Sequence, residues 1–145
     1  MADVRKLTEN LFVASQLTAA DVAEIDGAGF RAILCNRPDG EEAGQPEYSQ
    51  IQKQADALGL MCESQPVNGS QISDADVDSF SDELQNLPGP VLAYCRTGTR
   101  CTVLWALSQA GHRATEEILQ IAAAAGYSLD ALKPRIEERA ALKKS

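Results

Sequence analysis

A cysteine followed within five residues by two arginines is the arrangement in this chain best suited to chemistry. It lies in Val91-Leu92-Ala93-Tyr94-Cys95-Arg96-Thr97-Gly98-Thr99-Arg100. Val91 to Tyr94, coming after Pro88-Gly89-Pro90, read as a short buried strand, and a helical pattern starts with Cys101-Thr102-Val103-Leu104-Trp105. Cys95 therefore belongs to a loop that runs into a helix N-terminus, where unpaired N–H groups and partial positive charge collect. Gly98 allows the positive φ that turns backbone N–H groups inward, and Arg96 and Arg100 add full charges. A thiol held there is expected to ionise below its ordinary value of about 8.5 and to act as a nucleophile. Arg100 offers a planar fork for an oxyanion, and Arg96, Thr97, Gly98 and Thr99 complete a substrate cradle with their backbone N–H groups. Two chemistries use such a cradle: phosphoryl transfer to the Cys, and transfer of a sulfane sulfur that the Cys holds as a persulfide.

Other residues qualify by position. Arg37 and Glu42, in the turn-rich Asn36-Arg37-Pro38-Asp39-Gly40-Glu41-Glu42, read as a rim on which Arg37 binds a carboxylate or sulfonate and Glu42 orients an Arg. Asn68, in the turn Asn68-Gly69-Ser70-Gln71, joins the substrate-binding set. Cys101 is a candidate resolving thiol for an oxidised or persulfidated Cys95, against the simpler reading of a small apolar residue at a buried helix start. Cys35 and Cys62 fall within strand patterns and are expected in the core. His112, in Gly111-His112-Arg113, reads as a surface-loop residue. No metal-ligand spacing appears among the Cys and His, so neither metal nor cofactor is expected.

The 145 residues suit one domain, taken as 1–145, with 44% hydrophobic and 23% charged residues. A net charge of −8 argues against nucleic acid or an anionic membrane as partner and makes the basic loop a local exception. No stretch approaches 18 apolar residues and residues 1–15 carry no signal-peptide core, so a cytoplasmic protein with reduced cysteines is expected.

The elements that must position Cys95 alternate. Strands are expected at Asn10–Ser15, Arg31–Cys35, Leu60–Val67 and Val91–Tyr94. Helices are expected after a Thr18/Asp21 capping box, from Pro46 to Gly59, after a Ser73/Asp76 capping box, and over Cys101–Ala110, Ala114–Ala125 and Leu129–Leu142, with Pro134 kinking or restarting the last. Val77, Phe80, Leu84 and Leu87 form one apolar face, and the helix after Cys101 is apolar almost all round. The alternation predicts an α/β fold in three layers, a mostly parallel sheet with helices on both faces. Ligands of such sheets bind beyond the carboxyl ends of the strands, which here means loops 36–45, 68–72 and 95–100.

The loop resembles those of cysteine phosphatases and of rhodanese-type sulfurtransferases. Four residues separate Cys95 from Arg100, one fewer than in the phosphatase pattern, and Tyr94 replaces the usual His. Over about residues 7–138 the chain resembles the phosphatase-like domain of the β-lactamase-hydrolase-like family. The resemblance rests on Leu11-Phe12-Val13-Ala14-Ser15-Gln16-Leu17, Asn36-Arg37-Pro38-Asp39-Gly40-Glu41, Gly44-Gln45-Pro46, the stretch from Pro90 to Arg100, and Ala125-Gly126-Tyr127-Ser128-Leu129. It implies a tyrosine/dual-specificity phosphatase fold and a link to sulfide detoxification, with a persulfide dioxygenase as a partner. It also implies a general acid in the loop after the strand ending near Val67; position 68 is Asn, and Asp74 and Asp76 are the nearby substitutes. Cys101 stands where phosphatases carry Ser or Thr. The short loop and the missing acid favour a sulfurtransferase: Cys95 takes sulfur from thiosulfate or a low-molecular-weight persulfide and passes it to an acceptor thiol. The alternative is a phosphatase working through phosphocysteine, and the third reading is a non-catalytic anion-binding or redox-sensing module.

Overall fold

The structure, a computed structural model, describes residues 2–144. Five strands form one sheet in the order β1-β2-β5-β3-β4. They are β1 (Val4–Lys6), β2 (Leu11–Ala14), β3 (Ala32–Cys35), β4 (Met61–Ser64) and β5 (Val91–Tyr94). All pairings are parallel except β1 with β2. The central strand is β5, in register with β2 on one side (Tyr94 opposite Ala14) and β3 on the other (Tyr94 opposite Cys35). The residue after β5 therefore leaves the sheet at its middle, where both neighbouring strands hold it in place.

Strand side chains alternate between the two faces. Leu11, Val13, Ala32, Leu34, Val91 and Ala93 face the larger apolar cluster. That cluster includes Val77 and Phe80 from α3 (Asp74–Asn86), Leu104 and Trp105 from α4 (Thr99–Ser108), Ile118 from α5 (Thr115–Ala124) and Ile136 from α6 (Lys133–Lys144). Ala14, Ile33, Cys35, Leu92 and Tyr94 face the smaller cluster under α1 (Ala19–Gly27) and α2 (Tyr48–Ala57). The three-layer α/β architecture agrees with the sequence reading. Among the described residues, no helix is long and apolar enough to cross a membrane.

Both expected capping boxes form: Thr18 accepts from the Asp21 N–H and Ser73 from the Asp76 N–H, and each Asp returns a bond to its cap. Three elements differ from expectation. β1 is an additional strand, and β4 ends at Ser64, short of Val67: Gln65 and Val67 still donate to the Cys35 and Asn36 carbonyls, but Pro66 between them has no N–H to give. α4 begins at Thr99, two residues before its apolar period, so Arg100 lies in its first turn. Pro134 takes the second of its two expected roles and restarts a helix: it sits at the start of α6, after a separate 3-10 turn at Asp130–Leu132.

Candidate active site

Cys95 leaves β5 buried, with 1% of its surface exposed. Gly98, at φ +89°, is the N-cap of α4 and has no side chain to satisfy the first N–H groups of the helix. The Cys95 sulfur takes that place. The Gly98 N–H points at Sγ from 3.1 Å, and the N–H groups of Thr97 and Cys101 also hydrogen-bond it. Two carbonyls of the loop are tied outward. The Gly98 carbonyl accepts Thr102 Oγ1 at 2.8 Å and the Thr97 carbonyl accepts the Tyr127 hydroxyl at 3.1 Å. A Cβ at Gly98 would strike that hydroxyl.

These donors lower the Cys95 pKa from 9.0 to about 6. The largest cause is the hydrogen bond from the Cys101 thiol; burial opposes it, and the three backbone N–H groups reinforce it. Cys101, fully buried, moves the other way, pushed up first by burial and then by the neighbouring thiolate. Cys101 is thus the donor to Cys95.

Arg100 reaches across to the loops after β3 and β4. Its Nη1 donates to the Val67 carbonyl at 3.1 Å and to the Asn36 carbonyl at 3.4 Å. Glu41 meets the end of the guanidinium, 3.2 Å from Nη1 and 3.3 Å from Nη2. Nε is buried without a hydrogen-bond partner. Gly69 makes this pose possible, since a Cβ there would come within 2.7 Å of Nε.

Arg37 is 2% exposed and is a strut. Its Nε binds Glu41 at 2.8 Å, Nη1 binds Gln16 at 3.0 Å and Nη2 binds Glu42 at 2.9 Å. Burial raises the Glu41 pKa, but the bonds from Arg37 and Arg100 outweigh it and hold the carboxyl below its ordinary value. Glu42 also lies 3.8 Å from Arg96, which is exposed.

Cys95, Arg96, Thr97, Thr99, Arg100, Glu41 and the 68–70 turn share one cavity of about 370 Å³. Arg37 and Glu42 line an adjoining one with Glu41, Arg96 and Arg100. A larger hollow of about 480 Å³ lies elsewhere, around Thr8, Leu84, Leu87 and Trp105. Asn68 reaches the cavity, but its Oδ1 accepts from the Ser70 N–H at 3.0 Å and the Ser70 hydroxyl at 2.8 Å. Asp74 is paired with Arg139 at 2.9 Å and Arg135 at 3.3 Å, and Asp76 caps its own helix. Cys35 and Cys62 are buried in the smaller cluster, where burial raises both pKa values, that of Cys62 to about 11. His112 is exposed and lines a separate hollow. Glu41, Gly69 and Tyr127 were not site candidates in the sequence reading, although Glu41 and Tyr127 fall within the motifs that carried the resemblance.

The profile of the phosphatase-like domain of β-lactamase hydrolase-like protein matches residues 3–112. A β-lactamase hydrolase-like protein of Agrobacterium fabrum is 34% identical over 138 residues, which cover 94% of this chain and 32% of that protein. The chain thus spans about a third of the length of the curated relatives it matches. A crystal structure of a candidate phosphatase from Neisseria meningitidis is 39% identical and superposes with a TM-score of 0.86, covering 94% of this chain and 98% of that one. The core catalytic domain of the PP-IP phosphatase SIW14 from S. cerevisiae, at 15% identity, shares the fold with a TM-score of 0.69, covering 98% and 92%. The fold is that of the tyrosine/dual-specificity phosphatases.

These likenesses overturn the expectation of a rhodanese-type sulfurtransferase, which rested on the short loop and on the missing acid at position 68. With α4 starting at Thr99, the short ring still turns the N–H groups of Thr97, Gly98 and Cys101 onto the sulfur.

Proposed function

The chain belongs to the family of phosphatase-like domains of β-lactamase hydrolase-like proteins, and on that premise we propose that it is a cysteine-dependent phosphatase. One observation carries the reading: a thiol titrating near 6 and an arginine with a buried, unpartnered Nε line the same cavity. An orphaned buried donor is costly unless an acceptor comes to it, and a phosphoryl oxygen supplies one. Glu41 and the Val67 and Asn36 carbonyls hold Nη1 and Nη2, so Nε is the guanidinium donor left unpaired.

The reaction runs in two displacements. The Cys95 thiolate attacks phosphorus, an S–P bond forms, and the P–O bond to the leaving group breaks with its electron pair. Arg100 and the N–H groups at the start of α4 hold the equatorial oxygens as charge shifts through them. Water then attacks phosphorus, the S–P bond breaks, and the thiolate returns. The Cys101 thiol stabilises the leaving thiolate in this step.

Steady-state hydrolysis of p-nitrophenyl phosphate tests the proposal. Wild type should turn over and Cys95→Ser should not, with the circular dichroism spectra superimposable. Full activity in Cys95→Ser would remove Cys95 from the mechanism.

A further inference from the structure

We infer that this site takes phosphoryl groups whose leaving group departs as a stable anion, namely aryl phosphates, acyl phosphates and phosphoanhydrides, in preference to alkyl phosphomonoesters. The inference rests on the phosphatase reading and adds the substrate class. It comes from the proton inventory of the cavity wall. An alkoxide is too basic to leave unaided, so alkyl esters need a group that protonates the departing oxygen, a contribution of about 10²- to 10⁴-fold in rate. A phenol leaves as an anion of pKa about 10 and a carboxylate or phosphate as a weaker base still.

Among the described residues, no carboxyl or thiol lining the cavity is free to give that proton at neutral pH, and the Thr97 and Thr99 hydroxyls are too weakly acidic to do so. Glu41 is the one carboxyl there. It is clamped between Arg37 at 2.8 Å and Arg100 at 3.2 Å, and those pairs keep it ionised. Asn68 has an amide, and its oxygen is committed to Ser70, whose own hydroxyl proton points back at Asn68. The Cys101 thiol donates to Cys95. The Tyr127 hydroxyl, outside the lining, donates to the Thr97 carbonyl. Asp74 and Asp76, the nearest carboxyls along the chain from Asn68, are spent on Arg139, Arg135 and the Ser73 N–H. The first displacement therefore ends with the electron pair on the leaving oxygen and no proton transferred from the protein.

The test is kcat/KM at pH 7 for p-nitrophenyl phosphate, phenyl phosphate, acetyl phosphate and β-glycerophosphate. The aryl and acyl compounds should exceed β-glycerophosphate by at least ~100-fold. Acetyl phosphate against the aryl pair then shows which of the stable-anion sources the cavity prefers. Glu41→Gln should change every substrate by a similar factor, because it disturbs Arg100 and not a proton. A flat series in wild type, or a loss in Glu41→Gln confined to β-glycerophosphate, would overturn the inference and leave the phosphatase reading standing. Failure to cleave any of these esters would instead overturn the phosphatase reading, and this inference with it.

Discussion

Replacing Cys101 by Ala should raise the pKa of Cys95 by about one unit and slow its chemistry in acid. In the fold, Cys95 drops from 9.0 to about 6. Three units amount to about 4 kcal/mol in favour of the thiolate. The Cys101 thiol is the largest single cause, ahead of the N–H groups of Cys101, Thr97 and Gly98. A hydrogen bond to a charged group contributes about 1.5–3 kcal/mol, and a thiol is a weak donor, so the lower end applies. The Cys95 midpoint in Cys101→Ala should then lie near 7. Cys101→Ser keeps a donor and should stay at or below the wild-type value. The assay is the rate of alkylation by iodoacetamide from pH 4.5 to 9, with the site confirmed by peptide mass. Cys95 is as buried as the other cysteines but lines the cavity and ionises in this range, whereas burial raises the pKa of Cys35, Cys62 and Cys101 and should keep them unreactive thiols. At pH 6 the Ala variant should react about fivefold more slowly than wild type, since half the wild-type thiol is ionised there and about a tenth of the variant's. The same pKa has a consequence for stability. A folded-state value below the unfolded one stabilises the fold above the unfolded value and loses that stabilisation as pH falls through about 6. At pH 7 the contribution is about 1.4 kcal/mol, so urea midpoints should rise between pH 5.5 and 8 in wild type and rise less in Cys95→Ser. An unchanged alkylation midpoint in Cys101→Ala would refute the reasoning and assign the low pKa to the backbone alone.

Three further substitutions probe the positioning of the site. Arg100→Lys keeps charge but loses the fork; kcat/KM for p-nitrophenyl phosphate should fall at least about tenfold, or roughly 1.4 kcal/mol. Gly69→Ala puts a Cβ 2.7 Å from Arg100 Nε, so the guanidinium must shift and KM should rise while the Cys95 alkylation midpoint stays near 6. Tyr127→Phe removes the hydroxyl that holds the Thr97 carbonyl, so the Thr97 and Gly98 N–H groups should loosen from the sulfur. The Cys95 midpoint should rise by a few tenths of a unit to about one, the equivalent of a neutral hydrogen bond of about 0.5–1.5 kcal/mol.

The fold was legible where local chemistry decides it. Thr18/Asp21 and Ser73/Asp76 announce two helices, and the continuous apolar run Val91–Tyr94 after Pro88-Gly89-Pro90 announces the central strand. β1 was hidden because two of its three residues are exposed, which leaves no apolar alternation to read. The apolar period points to a start of α4 at Cys101, whereas the helical backbone begins at the polar Thr99. Cys95 and Arg100 stand out by type and spacing. Glu41 does not: in sequence it is one charge in a turn, and its role exists only because Arg100, 59 residues away, folds onto it. Tyr127 is likewise 30 residues from the peptide it holds. The sulfur-transfer expectation failed for a related reason. Counting residues between Cys and Arg is not counting donors: with the helix starting at Thr99, the N–H groups of Thr97, Gly98 and Cys101 all reach the sulfur.

The central claim is that phosphate passes through a covalent bond to Cys95. Rapid mixing with p-nitrophenyl phosphate, a denaturing quench and mass analysis of the peptide spanning residues 91–100 would detect it. A single phosphoryl group on Cys95, appearing before steady state and absent from Cys95→Ser, is the predicted result. Hydrolysis proceeding without a Cys95 adduct, or an adduct on another residue, would contradict the account.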